Sequence, residues 1–136
     1  MIQYDYVFRV LYVDTDKMST MHHSHYVKYY EAARCELFRN IGVSYLSIEQ
    51  AGYMLPVISM QVKYVKTTFY DEQLTMRTTL KSIKGVRVVF AFEVFNEKKE
   101  LINEAEVQLA FVSTETWKPC APPDFVLDAV QKQAIL

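Results

Sequence analysis

One long stretch of this chain, from residue 24 or 25 to residue 41, repeats its apolar residues at steps of three and four. Tyr26, Tyr30, Ala33, Leu37 and Ile41 form the stripe, while Lys28, Glu31, Glu36 and Arg39 lie largely off it. That period belongs to an amphipathic α-helix with one face on a core. Ser24 is placed to cap its start, the hydroxyl accepting from a free N–H of the first turn. Gly42 is placed as the left-handed residue that ends it. A shorter helix is expected over 44–50, stopping near Gly52. The other long regular stretches, 3–13, 57–66, 73–83, 86–96 and 101–113, read as strands. Two of them alternate clearly. Val86, Val88, Phe90, Phe92 and Val94 share one face, and Asn103, Ala105, Val107 and Leu109 share another, with Glu104, Glu106 and Gln108 opposite. Such alternation marks antiparallel strands with one buried face. The tail from Lys118 holds Pro119, Pro122 and Pro123 and reads as irregular, then weakly helical.

A sheet of about five antiparallel strands must cover its apolar face, and the long helix is the one element large enough to do so. The expected class is therefore α+β, as a single domain over 1–136. One helix leaves the second sheet face and the edges unmanaged, which favours pairing with another copy of the chain. Tyr 10 and Phe 8 agree with that, since aromatic residues suit clefts and subunit contacts. The formal net charge of -1 argues against a nucleic-acid partner, which needs many cationic phosphate contacts. No stretch approaches the ~20 apolar residues of a membrane span, and the N-terminus lacks the long apolar core of a secretory signal. With only Cys35 and Cys120, read as reduced thiols, a cytoplasmic location is expected.

Reactive side chains crowd between the first strand and the long helix. Tyr12-Val13-Asp14-Thr15-Asp16 is followed by His22-His23-Ser24-His25-Tyr26, which holds every histidine of the chain. A helix start presents unpaired N–H groups and positive dipole character, able to stabilise a carbonyl oxygen gaining charge. A carboxylate just before it can serve as base or nucleophile. Acyl transfer needs these two parts and a cleft. The blander reading is a turn whose Asp and Thr side chains bond nearby amides. A metal site is disfavoured, because neighbouring His22 and His23 cannot readily face one ion and no i, i+4 histidine pair exists. No G-x-S-x-G turn or Gly-rich phosphate loop is present. Cys35, mid-helix, reads as a packed residue.

Tyr12 through Tyr26, with Tyr30-Glu31-Ala32-Ala33-Arg34, resembles the signature of 4-hydroxybenzoyl-CoA thioesterase-like proteins, especially their Tol-Pal-associated bacterial members. That pattern is roughly Y-x-D-T-D-x-x-G-x-x-x-H-x-x-Y followed by (Y/F)-E-x-A-R. Gly42-Val43-Ser44-Tyr45, Lys63-Tyr64-Val65-Lys66 and Tyr70-Asp71-Glu72-Gln73-Leu74 extend the match over most of residues 4–111. Two departures stand out: Ser19 replaces the usual glycine, and Thr67-Thr68 replaces a common Pro-Ala.

The resemblance implies a hotdog fold, an antiparallel sheet wrapped on one long helix, and an acyl-CoA thioesterase that needs no cofactor and no metal. It implies Asp16 as the catalytic carboxylate, His23 as the position whose backbone N–H polarises the thioester carbonyl, and Tyr12 beside them. Glu31 and Arg34 fall to structural or interface roles. Ser24 is expected to touch substrate. Lys63, Lys66, Lys81, Lys84, Arg87 and Lys118 are the cations available to CoA phosphates, with Lys84 and Arg87, flanking Gly85, preferred. The partners implied are an acyl-CoA or acyl-carrier-protein thioester and further copies of the chain, as a dimer or homotetramer. The competing classes are a hotdog hydratase or dehydratase and a non-catalytic acyl-binding protein. A D-x-x-x-x-H spacing would mark the hydratases, whereas His23 follows Asp16 by seven positions.

Overall fold

The structure is a computed structural model that describes residues 2–135; Met1 and Leu136, the ends of the expected domain, lie outside it. In chain order it contains β1 (Ile2–Arg9), a 3-10 turn (Tyr12–Asp14), a second 3-10 turn (His23–His25), α1 (Tyr26–Asn40) and α2 (Tyr45–Gln50). Strands β2 (Tyr53–Met54), β3 (Val57–Tyr64), β4 (Gln73–Lys84), β5 (Arg87–Phe95), β6 (Leu101–Ala110) and β7 (Val112–Ser113) follow, then α3 (Asp124–Ile135). Five strands form one antiparallel sheet in the order β1-β4-β5-β6-β3, with β2 and β7 paired separately.

Helix α1 lies on one sheet face because the two patterns meet there. Its expected stripe is buried throughout, joined by Tyr29 and Phe38. Val88, Phe90, Phe92 and Val94 of β5 and Val107 and Leu109 of β6 supply the facing surface, all fully buried or nearly so. Tyr30 packs on Phe92 with ring centroids 4.8 Å apart, and Phe38 meets Phe90 edge-on at 5.5 Å. Deep in this core the Tyr30 hydroxyl donates to Asn103 Oδ1. That bond lets two polar groups sit where water does not reach.

The opposite sheet face is charged. One row across all five strands reads Asp5, Arg77, Glu93, Glu104, Lys63. Arg77 lies 3.4 Å from Asp5, and Lys81 pairs with Glu106 at 2.8 Å. The unmanaged surface anticipated on this face is thus a solvated ladder of ions, and the apolar exposure lies at the edges. Val57, Ile58, Tyr64, Val65, Phe69 and Tyr70 are each exposed on or next to edge strand β3.

Three boundaries differ from expectation for physical reasons. The first strand stops at Arg9 instead of residue 13, because the Asp14 carboxylate accepts from Leu11 N–H (3.1 Å) and folds the chain out of the sheet. The strand expected over 101–113 breaks after Ala110, and the short strand β7 beyond the break pairs with Tyr53–Met54 instead of extending β6. The tail is a full helix from Asp124, beginning just after Pro123, whose ring tolerates the first turn. Gly42 does end α1, at φ +92°. The contact of Phe38 on Phe90 seats the helix. Phe90→Ala should therefore lower unfolding free energy by about 3–5 kcal/mol, read by urea denaturation at fixed protein concentration.

Candidate active site

The loop that carries the cluster is stitched into place by backbone bonds. Asp16 N–H donates to Thr20 O (3.0 Å) and Ser19 N–H to Asp16 O (3.0 Å). Ser19 takes φ +64°, the left-handed conformation that glycine adopts most easily. The serine therefore keeps the tight turn that the family pattern assigns to glycine, at a cost of about 1–2 kcal/mol. The loop is also tied to the segment between β3 and β4. Met21 N–H donates to Thr68 O (2.9 Å), and Thr20 bridges Phe69.

Asp14 holds the other end. It is fully buried and accepts from Leu11 N–H, Lys28 Nζ and the Tyr29 hydroxyl, with His25 Nδ1 3.4 Å away. Its own carbonyl accepts from His22 N–H at 2.8 Å. Burial pushes the Asp14 carboxyl up, but bonds from Lys28, Tyr29 and Leu11 outweigh that and hold it below its ordinary value. Burial, and secondarily the bond to Asp14, drive the Tyr29 hydroxyl well above the ordinary tyrosine value. One carboxylate thus joins the loop to the first turns of α1.

Between these anchors opens a cleft of about 300 Å³ whose lining includes Asp16, His22, His23, Tyr26, Tyr64 and Thr68. Asp16 is exposed, and its Oδ1 accepts from Met18 N–H (2.9 Å) and Thr20 Oγ1 (3.3 Å). The Met18 amide, above all, keeps its carboxyl below the usual range. Tyr64, at the tip of β3, donates to His23 O (3.1 Å) and fixes the turn that precedes α1. Tyr26 forms a floor, its hydroxyl pushed up to about 12 by burial. Lys66 also lines the cleft, paired with Glu100. The Thr68 hydroxyl is buried there without a hydrogen-bond partner among the described residues.

Asp16 and His23 therefore share one cleft, with the candidate cation Lys66 also in its lining, while Tyr12, Ser24, Lys84 and Arg87 lie outside that lining. Tyr12 is 79% exposed and packs edge-on against Tyr70 at 5.7 Å, outside the cleft lining. Ser24 does not cap α1. The capping residue is His22, two positions earlier, at the start of the 3-10 turn His23–His25; its ring accepts from Ser24 N–H, and the Ser24 hydroxyl also lies on that ring. Lys84 and Arg87 face each other at the far end of the β4–β5 hairpin, and Arg87 bonds Gln108. The cleft lies at the Gln73 end of β4, so about 35 Å of strand separates it from Lys84. Within one chain those two cations do not reach the cleft. The anchoring by Asp14 and the cleft positions of His22, Tyr64 and Thr68 were not singled out from sequence. The paired carboxylates of Asp14-Thr15-Asp16 were a signal for the first, since one of the two was free to be buried.

Comparison with known proteins places this geometry in a family. A model of the thioesterase-like superfamily matches residues 10–130. The chain belongs to the thioesterase-like superfamily. It is similar to the acyl-CoA thioester hydrolase YbgC of Escherichia coli, with 33% identity over 119 residues, 88% of this chain and 89% of that protein. It is 28% identical to the putative acyl-CoA thioesterase YneP of Bacillus subtilis over 110 residues, 81% of this chain and 80% of that one. A DHNA-CoA thioesterase from Staphylococcus aureus superposes with a TM-score of 0.91 at 31% identity, covering 100% of this chain and 93% of that one. The fold is the hotdog fold, as the resemblance implied.

Asp14 predicts a sign for acid sensitivity. Its carboxyl is depressed in the folded state, so the stability it contributes is complete well above the ordinary value of 3.8 and is lost as pH falls through the lower folded value. Asp14→Ala should cost about 3 kcal/mol, the low end for a broken buried ion pair because Lys28 stays half-exposed. It should also flatten the acid limb of a stability profile measured by chemical denaturation across pH.

Proposed function

We propose that this chain is a single hotdog domain over 1–136 that hydrolyses acyl-CoA thioesters to a free acid and CoA. The observation that carries the reading is the shared cleft of Asp16 and His23, with an ionised carboxylate beside the turn that opens α1. The printed functions of the relatives, an acyl-CoA thioester hydrolase and a DHNA-CoA thioesterase, support it.

In this mechanism the thioester carbonyl lies against the His23 N–H, the first of its turn and so without an intrahelical acceptor. As the carbonyl carbon is attacked, its oxygen gains charge that this N–H and the adjoining α1 dipole stabilise. The attacking atom is either an Asp16 oxygen, giving a mixed anhydride that water then opens, or a water that loses its proton to Asp16. In both routes the C–S bond breaks and the sulfur leaves as the thiolate of CoA. The carboxylate acts in its charged form, so activity should persist through mildly acidic pH, with its acid limb below 3.8.

The acyl carrier is CoA or an acyl carrier protein. The enzyme works in the cytoplasm, a reading supported by two unbridged cysteines and by the lack, among the described helices, of any long and apolar enough to cross a membrane. It functions as a homodimer or homotetramer. The exposed apolar residues beside edge strand β3 support that assembly, because they continue the cleft wall onto an unpaired strand edge. Lys84 and Arg87 would then meet CoA phosphates from a neighbouring subunit, and Tyr12 and Ser24 would flank the site from its rim.

Asp16→Asn keeps the shape of the side chain and removes its charge. The variant should fold as wild type by circular dichroism, bind CoA esters and lose about 10²–10⁴-fold in kcat for thiol release. Near wild-type turnover in pure Asp16→Asn would remove the carboxylate from the mechanism.

A further inference from the structure

His22 lines the same cleft, and the turn has fixed which of its ring nitrogens carries hydrogen. Ser24 N–H, which can only donate, points at His22 Nδ1 at 3.3 Å, and the Ser24 hydroxyl lies 2.8 Å from the same atom. An Nδ1 that accepts from a backbone amide holds a lone pair. The proton of the neutral ring must then sit on Nε2, the ring's other edge, which no group among the described residues engages. The ring lies tilted against that of His23, with centroids 4.1 Å apart, and meets His25 edge-on at 6.1 Å, so it has little freedom to turn over. Neither His22 nor Ser24 is specified by the family pattern quoted above, where both positions are free.

We infer that His22, oriented by Ser24, is a second hydrogen-bond donor to the thioester oxygen, its Nε2–H acting beside the His23 N–H. The inference rests on the proposed thioesterase activity and adds a catalytic residue to it. A neutral imidazole cannot protonate the departing sulfur, because that would leave an imidazolate. It can donate a hydrogen bond to an oxygen that gains charge during attack, and no proton changes owner. Such a donor acts in the transition state more than in the ground state, so its loss should appear in kcat. Ser24 is a positioning residue: it touches the imidazole, and through it the substrate.

The test combines kinetics with spectroscopy on the full chain, using benzoyl-CoA and acetyl-CoA as probes and thiol release as readout. Long-range nitrogen–proton correlation spectra should show the His22 ring of the wild type as the Nε2–H tautomer. His22→Ala should lose about 100-fold in kcat with KM changed by less than about threefold. His22→Gln, whose amide N–H reaches toward the place of Nε2–H, should recover at least about tenfold of that loss. Ser24→Ala, which keeps the backbone N–H on Nδ1 and removes only the hydroxyl that helps orient the ring, should lower kcat about threefold or more with KM changed by less than about threefold, and the ring should stay the Nε2–H tautomer. An Nδ1–H ring in the wild type, or a His22→Ala kcat within threefold of wild type, would overturn the assignment. Should His22→Ala fail to fold, the Gln variant and the wild-type spectrum still decide. A wild type that releases no thiol from any acyl-CoA would instead sink the thioesterase reading itself, an outcome visible before any variant is made.

Discussion

A carboxylate with no exposure to solvent sets the geometry around the cleft. Asp14 leaves the last residues of β1 behind, bonds back to Leu11, and gathers Lys28, Tyr29 and His25 from the opening of α1. Burying a charge is expensive unless its oxygens are satisfied, and here three donors and a nearby imidazole satisfy them. The same residue uses its main-chain carbonyl to hold His22. Side chain and backbone together fix where the loop ends and where the helix begins. The distance between a carboxylate on the loop and an amide on the turn is thereby a property of one buried group.

The two acidic residues of Asp14-Thr15-Asp16 differ only in surroundings. One is enclosed and linked to a lysine and a tyrosine; the other stands in the open cleft with a single amide and a threonine hydroxyl as partners. Both are held below the ordinary carboxyl range, by different means. The first is committed to structure, because protonating it would strand its donors. The second stays exposed in the lining of the cleft. Two like groups two positions apart can differ so much because the 3-10 turn ends at Asp14 and the chain leaves it extended at Thr15, with the first carboxylate buried and the second exposed.

Much of the architecture was legible in the residues. The stripe from Tyr26 to Ile41 and the alternation of Val88, Phe90, Phe92 and Val94 each name their buried face, because a helix and a strand repeat at different periods. What periodicity could not supply were departures from period. The break after Arg9 depends on a bond from Asp14 three positions beyond Leu11, and the short β2–β7 pair depends on residues about sixty positions apart. At the cleft, Asp16 and His23 were legible through resemblance, because their spacing survives in a pattern. Lys84 and Arg87 were chosen for charge and a glycine between them, and charge carries no information about which end of a sheet a hairpin occupies. Ser24 was read as a cap from its type and position. The turn began at His22 because a histidine ring can accept from the amide two residues on, a role that composition rules assign to serine, threonine, aspartate and asparagine.

Thr20 bridges Phe69 and Met21 bonds Thr68, so the loop bearing Asp16 and the far wall of the cleft are laced together by main-chain hydrogen bonds. Walls joined in that way cannot swing apart as a hinged cover would; parting them means breaking the lacing. While those bonds hold, the loop and the opposite wall move as one piece, and whatever enters the groove must come in from its open side.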